Sequence, residues 1–152
     1  YEHEEIGYNY RLSNILAALG RSQLERIDQT VARRRELRDL YREGLAQLEG
    51  VLVQEDPPWG RSNAWLSVVT FDLGLYPDAP TQIRLALEER NIESRPIWKP
   101  MHQQPVFSHS RSFLNGAADS LYESGLCLPS GPGITDLDVE EACSVILKTL
   151  VP

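Results

Sequence analysis

The chain has 152 residues, a formal net charge of −7 with neutral histidines, 41% hydrophobic residues and 24% charged residues. This length supports one domain with its own core, and the composition is ordinary for a globular protein. The acidic balance argues against non-specific nucleic-acid binding, and no apolar run approaches the roughly 20 residues of a membrane span, so we expect neither nucleic acid nor a membrane as a partner.

The first half of the chain predicts two helices and then two strands. Apolar residues recur near the helical period from Asn14 to Gln23 and again from Asp28 to about Leu48. Val51 to Gln54 is a short strand candidate. Ala64 to Asp72 is the strongest strand candidate because it is rich in β-branched and aromatic residues. We expect the fold to form around its Trp65–Phe71 stretch together with the final helix.

The second half predicts helices and short strands around one long loop. Lys99 to Asn115 is irregular and polar, and loops of that length are often functional. In chain order, the other elements are a helix from about Ala79 to Arg90 capped by Asp78, an extended segment from Ile92 to Ile97, a helix from Ala117 to Ser124, a strand from Gly125 to Leu128, and a last helix capped by Thr135 with Asp138 in the box position. This order indicates an α/β architecture of the α+β sandwich type, with helices packed on a small, largely antiparallel sheet and preceded by a long helical segment.

A tract of polar and aromatic residues precedes the first helix: Gly7-Tyr8-Asn9-Tyr10-Arg11, with Ser13 placed to cap the helix. The Asn9 side chain offers both donors and an acceptor, and the Arg11 guanidinium is a planar fork suited to carboxylate or phosphate. From these residues alone, the alternative is an aromatic hinge in which Arg11 pairs with a surface acid.

Together with Ala17-Ala18-Leu19-Gly20 and Gln23-Leu24, this tract resembles the sugar aminotransferases of the DegT/DnrJ/StrS type. These enzymes use pyridoxal phosphate (PLP) and have the aspartate aminotransferase fold type. Two later segments resemble the family in the same order: Arg95-Pro96-Ile97-Trp98-Lys99-Pro100-Met101-His102, and Leu128-Pro129 followed by Gly133-Ile134-Thr135. The resemblance therefore extends over the whole chain.

The resemblance implies that the chain is about the last two-fifths of a family member, which agrees with a first residue that is Tyr1 rather than methionine. Residues 1–13 would be an active-site motif segment. Residues 14–152 would be the small C-terminal domain of a fold-type I PLP enzyme, with interdomain helices. We expect the large PLP-binding domain to lie upstream of this sequence.

The resemblance also implies the roles of three residues. Asn9 would reach the PLP phosphate of the neighbouring subunit, Arg11 would bind substrate in the same composite site, and His102 would approach the sugar. The alternative for His102 is a hydrogen-bonded loop histidine. The lysines are Lys99 and Lys148 alone, and neither matches the family lysine that holds PLP covalently. We therefore expect no catalytic residue here and an inactive fragment.

The scattered histidines predict no metal site, because His3 and His109 lack partners at ligand spacing. Cys127 and Cys143 also lack such spacing, so we expect free buried thiols and a cytoplasmic protein.

By resemblance, the complete protein is a homodimer that moves an amino group from glutamate to a nucleotide-linked keto sugar, for polysaccharide, glycan or antibiotic synthesis. Two other interpretations stay open. One is a relative that lacks the covalent lysine and dehydrates a sugar with PLP. The other is a non-catalytic dimerisation or regulatory module, against which the pair Asn9 and Arg11 argues.

Overall fold

The computed structural model describes residues 2–9 and 11–151, so Tyr1, Pro152 and the motif residue Tyr10 lie outside the described residues. Within those ranges the helices are α1 (Asn14–Leu24), α2 (Ile27–Leu45), α3 (Ala79–Glu88), α4 (Ala117–Ser124) and α5 (Asp136–Leu150). The strands are β1 (Val51–Val53), β2 (Ser67–Phe71), β3 (Arg95–Pro96) and β4 (Gly125–Leu128), and two 3₁₀ turns cover Met101–Gln103 and Pro105–Phe107. The predicted order of helices and strands is confirmed.

The four strands form one antiparallel sheet in the order β1-β2-β4-β3. Val51 lies opposite Phe71, and Ser67 lies opposite Leu128. Because side chains alternate along a strand, Ser67, Val69 and Phe71 share one face of the sheet, which we call the inner face. All three are buried, whereas Leu52 on the other face is 71% exposed.

The core lies between the inner face and helices α2, α3 and α5. The fully buried side chains there include Tyr41 of α2, Ile83 and Leu87 of α3, and Ile146 of α5. Ile83 and Leu87 are four positions apart, so they lie on the same face of α3. Complete burial of one such side chain stabilises the fold by about 1.5–3 kcal/mol. The Tyr41 hydroxyl donates to the carbonyl of Pro129 at 3.1 Å, and burial raises the pKa of that phenol well above its ordinary range. The expected α+β sandwich is confirmed.

Trp65 is the main departure from the predicted strand, because β2 begins two residues after it. Ala64 has a φ of 48°, which interrupts the extended backbone. Trp65 is therefore 58% exposed and lies outside the core. Its ring stacks on Trp98, with centroids 5.6 Å apart. The expectation that Trp65 belongs to the folding core is wrong, whereas the Ser67–Phe71 part of that stretch is inside it.

Two helix caps show opposite outcomes. Thr135 and Asp138 form the predicted capping box: the Asp138 N–H donates to Thr135 Oγ1 at 3.2 Å, and the Thr135 N–H donates to Asp138 Oδ2 at 2.8 Å. Asp78 does lie at the N-cap of α3, but its φ is 59° and its side chain makes no capping bond. The left-handed backbone turns the carboxylate away from the amides that it was expected to bind.

Helix α1 has no buried residue, in contrast to α2, α3 and α5. Ser13 caps it as predicted by accepting from the Leu16 N–H at 3.3 Å. Its apolar residues Leu16 and Leu19 are 51% and 55% exposed. In the part of the chain that the structure describes, no helix is both long enough and apolar enough to cross a bilayer.

Candidate functional site

The N-terminal arm, residues 2–9 and 11–13, folds back onto the loop that follows β3. We call residues 97–107 of this connection the His102 loop. The Val106 N–H donates to the carbonyl of His3 at 3.0 Å, and the His3 N–H donates to Gln104 Oε1 at 3.0 Å. The arm and the loop resemble the family in separate segments of the sequence, and the structure bonds the two together.

Gln104 is at the centre of this contact, although sequence reasoning gave it no role. Its side chain is 3% exposed, and its amide also donates to the carbonyl of Lys99 at 3.2 Å. Glu2 forms an ion pair with the Lys99 ammonium, which lowers the pKa of the Glu2 carboxyl. A buried amide is stable only when its polar atoms are bonded, so Gln104 requires both segments in place. Glu2, His3, Lys99 and Gln104 form what we call the clasp.

Asn9 and Arg11 lie further along the arm and are both exposed. The Arg11 N–H donates to Asn9 Oδ1 at 3.1 Å, and Arg11 has a φ of 97°, which is uncommon for a residue with a side chain. Among the described residues, no carboxylate lies within ion-pair distance of the Arg11 guanidinium. The pairing expected for a simple hinge is therefore not seen in that part of the chain.

The Asn9 carboxamide is oriented by this bond. Its oxygen accepts from the Arg11 N–H, and among the described residues no hydrogen-bond partner is seen for the two donors on Nδ2, so these donors remain for another molecule. Amide donors and a guanidinium are both groups that suit an anion such as a phosphate. The residues present are thus chemically compatible with a phosphate-bearing cofactor.

His102 lies in the first 3₁₀ turn of its loop, and its side chain is 19% exposed. Its Nε2 is 2.8 Å from Asp119 Oδ1, and the Gln103 side chain donates to the same oxygen. These bonds, that of Gln103 first, lower the pKa of the Asp119 carboxyl. His102 is therefore hydrogen-bonded, as the alternative expected, and within residues 2–9 and 11–151 no hydrogen-bond partner is seen for its other ring nitrogen. Among the described residues, no hydrogen bond or ion pair joins it to Asn9 or Arg11.

A separate cavity of about 580 Å³ opens beside the stacked rings of Trp65 and Trp98. Its lining includes the acids Glu93, Asp138 and Glu141 together with Arg95. Arg95 is already paired with Glu93. In residues 2–9 and 11–151, no group of three or more histidine, cysteine or acidic side chains is placed to hold a metal ion.

The profile of the DegT/DnrJ/EryC1/StrS aminotransferase family matches residues 1–147. This chain belongs to that family. The match includes both the arm and the His102 loop, so the resemblance seen in separate motifs extends over nearly all of the sequence.

Relatives of this chain include a provisionally named aminotransferase and enzymes of sugar synthesis. EpsN of Bacillus subtilis, provisionally named as a pyridoxal phosphate-dependent aminotransferase, is 42% identical over 151 residues. The GDP-perosamine synthase of Vibrio cholerae is 33% identical over 149 residues. These alignments cover 97% and 96% of this chain but 38% and 40% of the relatives. The chain thus spans about two-fifths of their length.

Solved structures of the family share the fold. A DegT/DnrJ/EryC1/StrS aminotransferase from Brucella abortus superposes with a TM-score of 0.78 at 25% identity, over 100% of this chain and 39% of that one. PseC from Helicobacter pylori, an aminotransferase of pseudaminic acid biosynthesis, gives 0.78 at 22% identity, over 98% and 40%. The expected likeness to part of a fold-type I aminotransferase is confirmed.

Proposed function

We propose that this chain is the C-terminal part of a PLP-dependent sugar aminotransferase, which moves an amino group from glutamate to a nucleotide-linked keto sugar. The observation that carries the proposal is the clasp, because it bonds the Asn9 and Arg11 arm to the His102 loop within a fold shared by sugar aminotransferases. The nucleotide-linked substrate is supported by the name of the GDP-perosamine synthases among the relatives. The glutamate donor follows from the family resemblance.

PLP would supply an electron-withdrawing ring and would carry the amino group from one substrate to the other. Asn9 would donate from Nδ2 to the PLP phosphate, while Oδ1 accepts from the Arg11 N–H. Arg11 would hold a carboxylate or phosphate of the substrate through its guanidinium fork. His102 would contact the sugar from the loop, where Asp119 already fixes the ring.

A second copy of the protein is the proposed partner, with each arm completing the cofactor site of the other subunit. The exposed apolar side chains of α1 support this assignment, because Leu16, Leu19 and Leu24 form a stripe for which no described residue provides cover. We place the protein in the cytoplasm, where the buried free thiols Cys127 and Cys143 would stay reduced.

We propose that the covalent lysine lies in an upstream domain. Lys99 is engaged by Glu2 in the clasp, and Lys148 is exposed in the last turn of α5. Among the described residues, no hydrogen bond joins either ammonium to Asn9. The 152-residue chain alone would then bind no PLP covalently and transfer no amino group.

The test compares this chain with the protein translated from the complete reading frame in which it lies. Each is incubated with PLP and reduced with borohydride, and the adducts are mapped by mass spectrometry. We expect one stoichiometric adduct in the complete protein, outside residues 1–152, and amino transfer from glutamate to a nucleotide-linked keto sugar. A stoichiometric adduct on Lys99, or a complete protein that neither retains PLP nor transfers an amino group, would overturn the proposal.

A further inference from the structure

We infer that Asp119 is a positioning residue: its carboxylate holds the His102 ring so that Nε2 carries a proton and Nδ1 is the only ring acceptor. The sequence places these residues 17 positions apart, in a loop turn and in a helix, with no motif joining them. Both residues belong to this chain, so their hydrogen bond needs neither a second subunit nor an upstream domain.

The carboxylate is fixed from two sides. His102 Nε2 lies 2.8 Å from Asp119 Oδ1, and the side-chain amide of Gln103 donates to the same oxygen. His102 and Gln103 are neighbours in one 3₁₀ turn, so a single turn of backbone presents two polar groups to one acceptor. The side chains of His102 and Asp119 are 19% and 31% exposed, which limits competition from water.

The direction of the proton follows from the charge on Asp119. This residue lies in the first turn of α4, where the positive end of the helix favours the ionised carboxylate. The bonds from Gln103 and then His102 lower the pKa of the carboxyl further, so it is ionised at neutral pH. An ionised carboxylate can only accept hydrogen bonds, and therefore Nε2 must be the donor.

The consequence for recognition rests on the proposed function. With Nε2 committed to Asp119, a neutral His102 can meet a substrate only through the lone pair on Nδ1. Its matching group is a donor, and the hydroxyls of a sugar are the donors that the proposed substrate offers. His102 would thus accept a hydrogen bond or a proton from the sugar, and Asp119 would decide that it accepts rather than donates.

The first test uses the 152-residue chain and needs no activity. In the ¹⁵N-labelled chain, long-range proton–nitrogen correlations report which ring nitrogen of each neutral histidine carries the proton. His3 and His109, assigned by His3→Gln and His109→Gln, serve as exposed references. We expect His102 to show the Nε2–H form alone, with an N–H proton protected from exchange, while the references show both forms.

Two leucine variants distinguish the effect of the Asp119 carboxylate on the His102 ring from that of the Gln103 amide. Asp119→Leu should return His102 to the mixture seen in the references and expose its N–H proton to exchange. Gln103→Leu removes only the second bond to Asp119, so the Nε2–H form should persist. A native His102 with the same mixture as His3 and His109, or an Nε2–H signal that survives Asp119→Leu unchanged, would overturn the inference.

The second test asks whether Asp119 acts through His102 in the complete protein. Asp119→Leu should lower kcat/KM for the keto sugar by about tenfold to a hundredfold, with the KM for glutamate unchanged. In a His102→Ala background the same change should have no further effect. Additive losses would contradict a positioning role. If the complete protein transfers no amino group, the proposed function fails, and the ring-nitrogen measurement still decides the present inference.

Discussion

Helices α5 and α1 have similar apolar patterns and opposite surroundings. On α5, Val139 and Ile146 are buried in the core, where α5 packs against α2 and α3. On α1, Leu16 and Leu19 occupy a comparable stripe and are more than half exposed. Periodicity therefore predicts which side of a helix is apolar, and it does not predict which surface covers that side. The surface that covers the apolar side of α5 belongs to the same chain. We expect the surface that covers α1 to belong to a second copy of the protein.

The largest expected effect tests the buried member of this comparison. Ile146→Ala should lower the free energy of unfolding of the 152-residue chain by about 2–5 kcal/mol, because Ile146 is fully buried and truncation leaves a cavity. Leu147→Ala is the matched control, since Leu147 is only partly buried against the same core and should cost less. A denaturant titration in which Leu147→Ala costs more than Ile146→Ala would refute this helix phase.

The next effect concerns the exposed arm and uses the complete protein. Losing one hydrogen bond to a charged group costs about 1.5–3 kcal/mol, so Asn9→Ala should weaken PLP retention about tenfold to over a hundredfold while the fold stays intact. Absorbance of bound cofactor after dialysis measures this retention.

Mixing the subunits sharpens that test. The Asn9→Ala protein is combined with a variant that lacks the covalent lysine. If Asn9 acts across the interface, the heterodimer has one site with both defects and one with neither. Mixing the two homodimers, each of which has low activity, should then restore activity. Confirmed subunit exchange without recovered activity would show that Asn9 does not act in the partner's site.

A smaller effect concerns the cap that anchors α5. Thr135→Ala should cost about 0.5–2 kcal/mol at neutral pH. Hydrogen bonds from Thr135 lower the pKa of the Asp138 carboxyl in the folded state. The stability contributed by the ionised Asp138 carboxylate is therefore present above about pH 4 and is lost as the pH falls further. The stability difference between native chain and variant should therefore shrink in acid. Thermal unfolding at pH 7 and pH 3 measures it, and a difference that grows in acid would be the wrong sign.

The smallest expected effect completes the comparison. Leu19→Ala should change the stability of the 152-residue chain by no more than about 0.5 kcal/mol, because its side chain is already exposed. In the complete protein the same change should weaken dimerisation, measured by sedimentation. A loss of 2 kcal/mol or more in the chain alone would mean that α1 packs against the chain itself.

Features set by neighbouring residues could be predicted from the sequence. The Thr135 and Asp138 capping box and the Ser13 cap involve residues three positions apart. Asp78 shows the limit, because its own backbone angle prevents the capping that its position suggests.

Features that depend on the folded chain could not be predicted. Gln104 and Asp119 have polar side chains in a loop and on a helix, and nothing nearby in the sequence marks them. Their partners His3 and His102 lie 101 and 17 residues away. The family motifs identified Asn9, Arg11 and His102 as candidates, but the residues that hold the arm and the ring in place emerge only from packing.

The clasp also has a consequence for the order of folding. The bond between His3 and Gln104 closes a loop of 101 residues, and the entropy of closing so long a loop is recovered only once the segment carrying Gln104 is already anchored by β3 and α4. The arm should therefore dock after the sheet has formed, and the amides of His3 in the arm and Val106 in the His102 loop should exchange with solvent before those of β4. A newly made molecule would pass through a stage with a complete core and no assembled site.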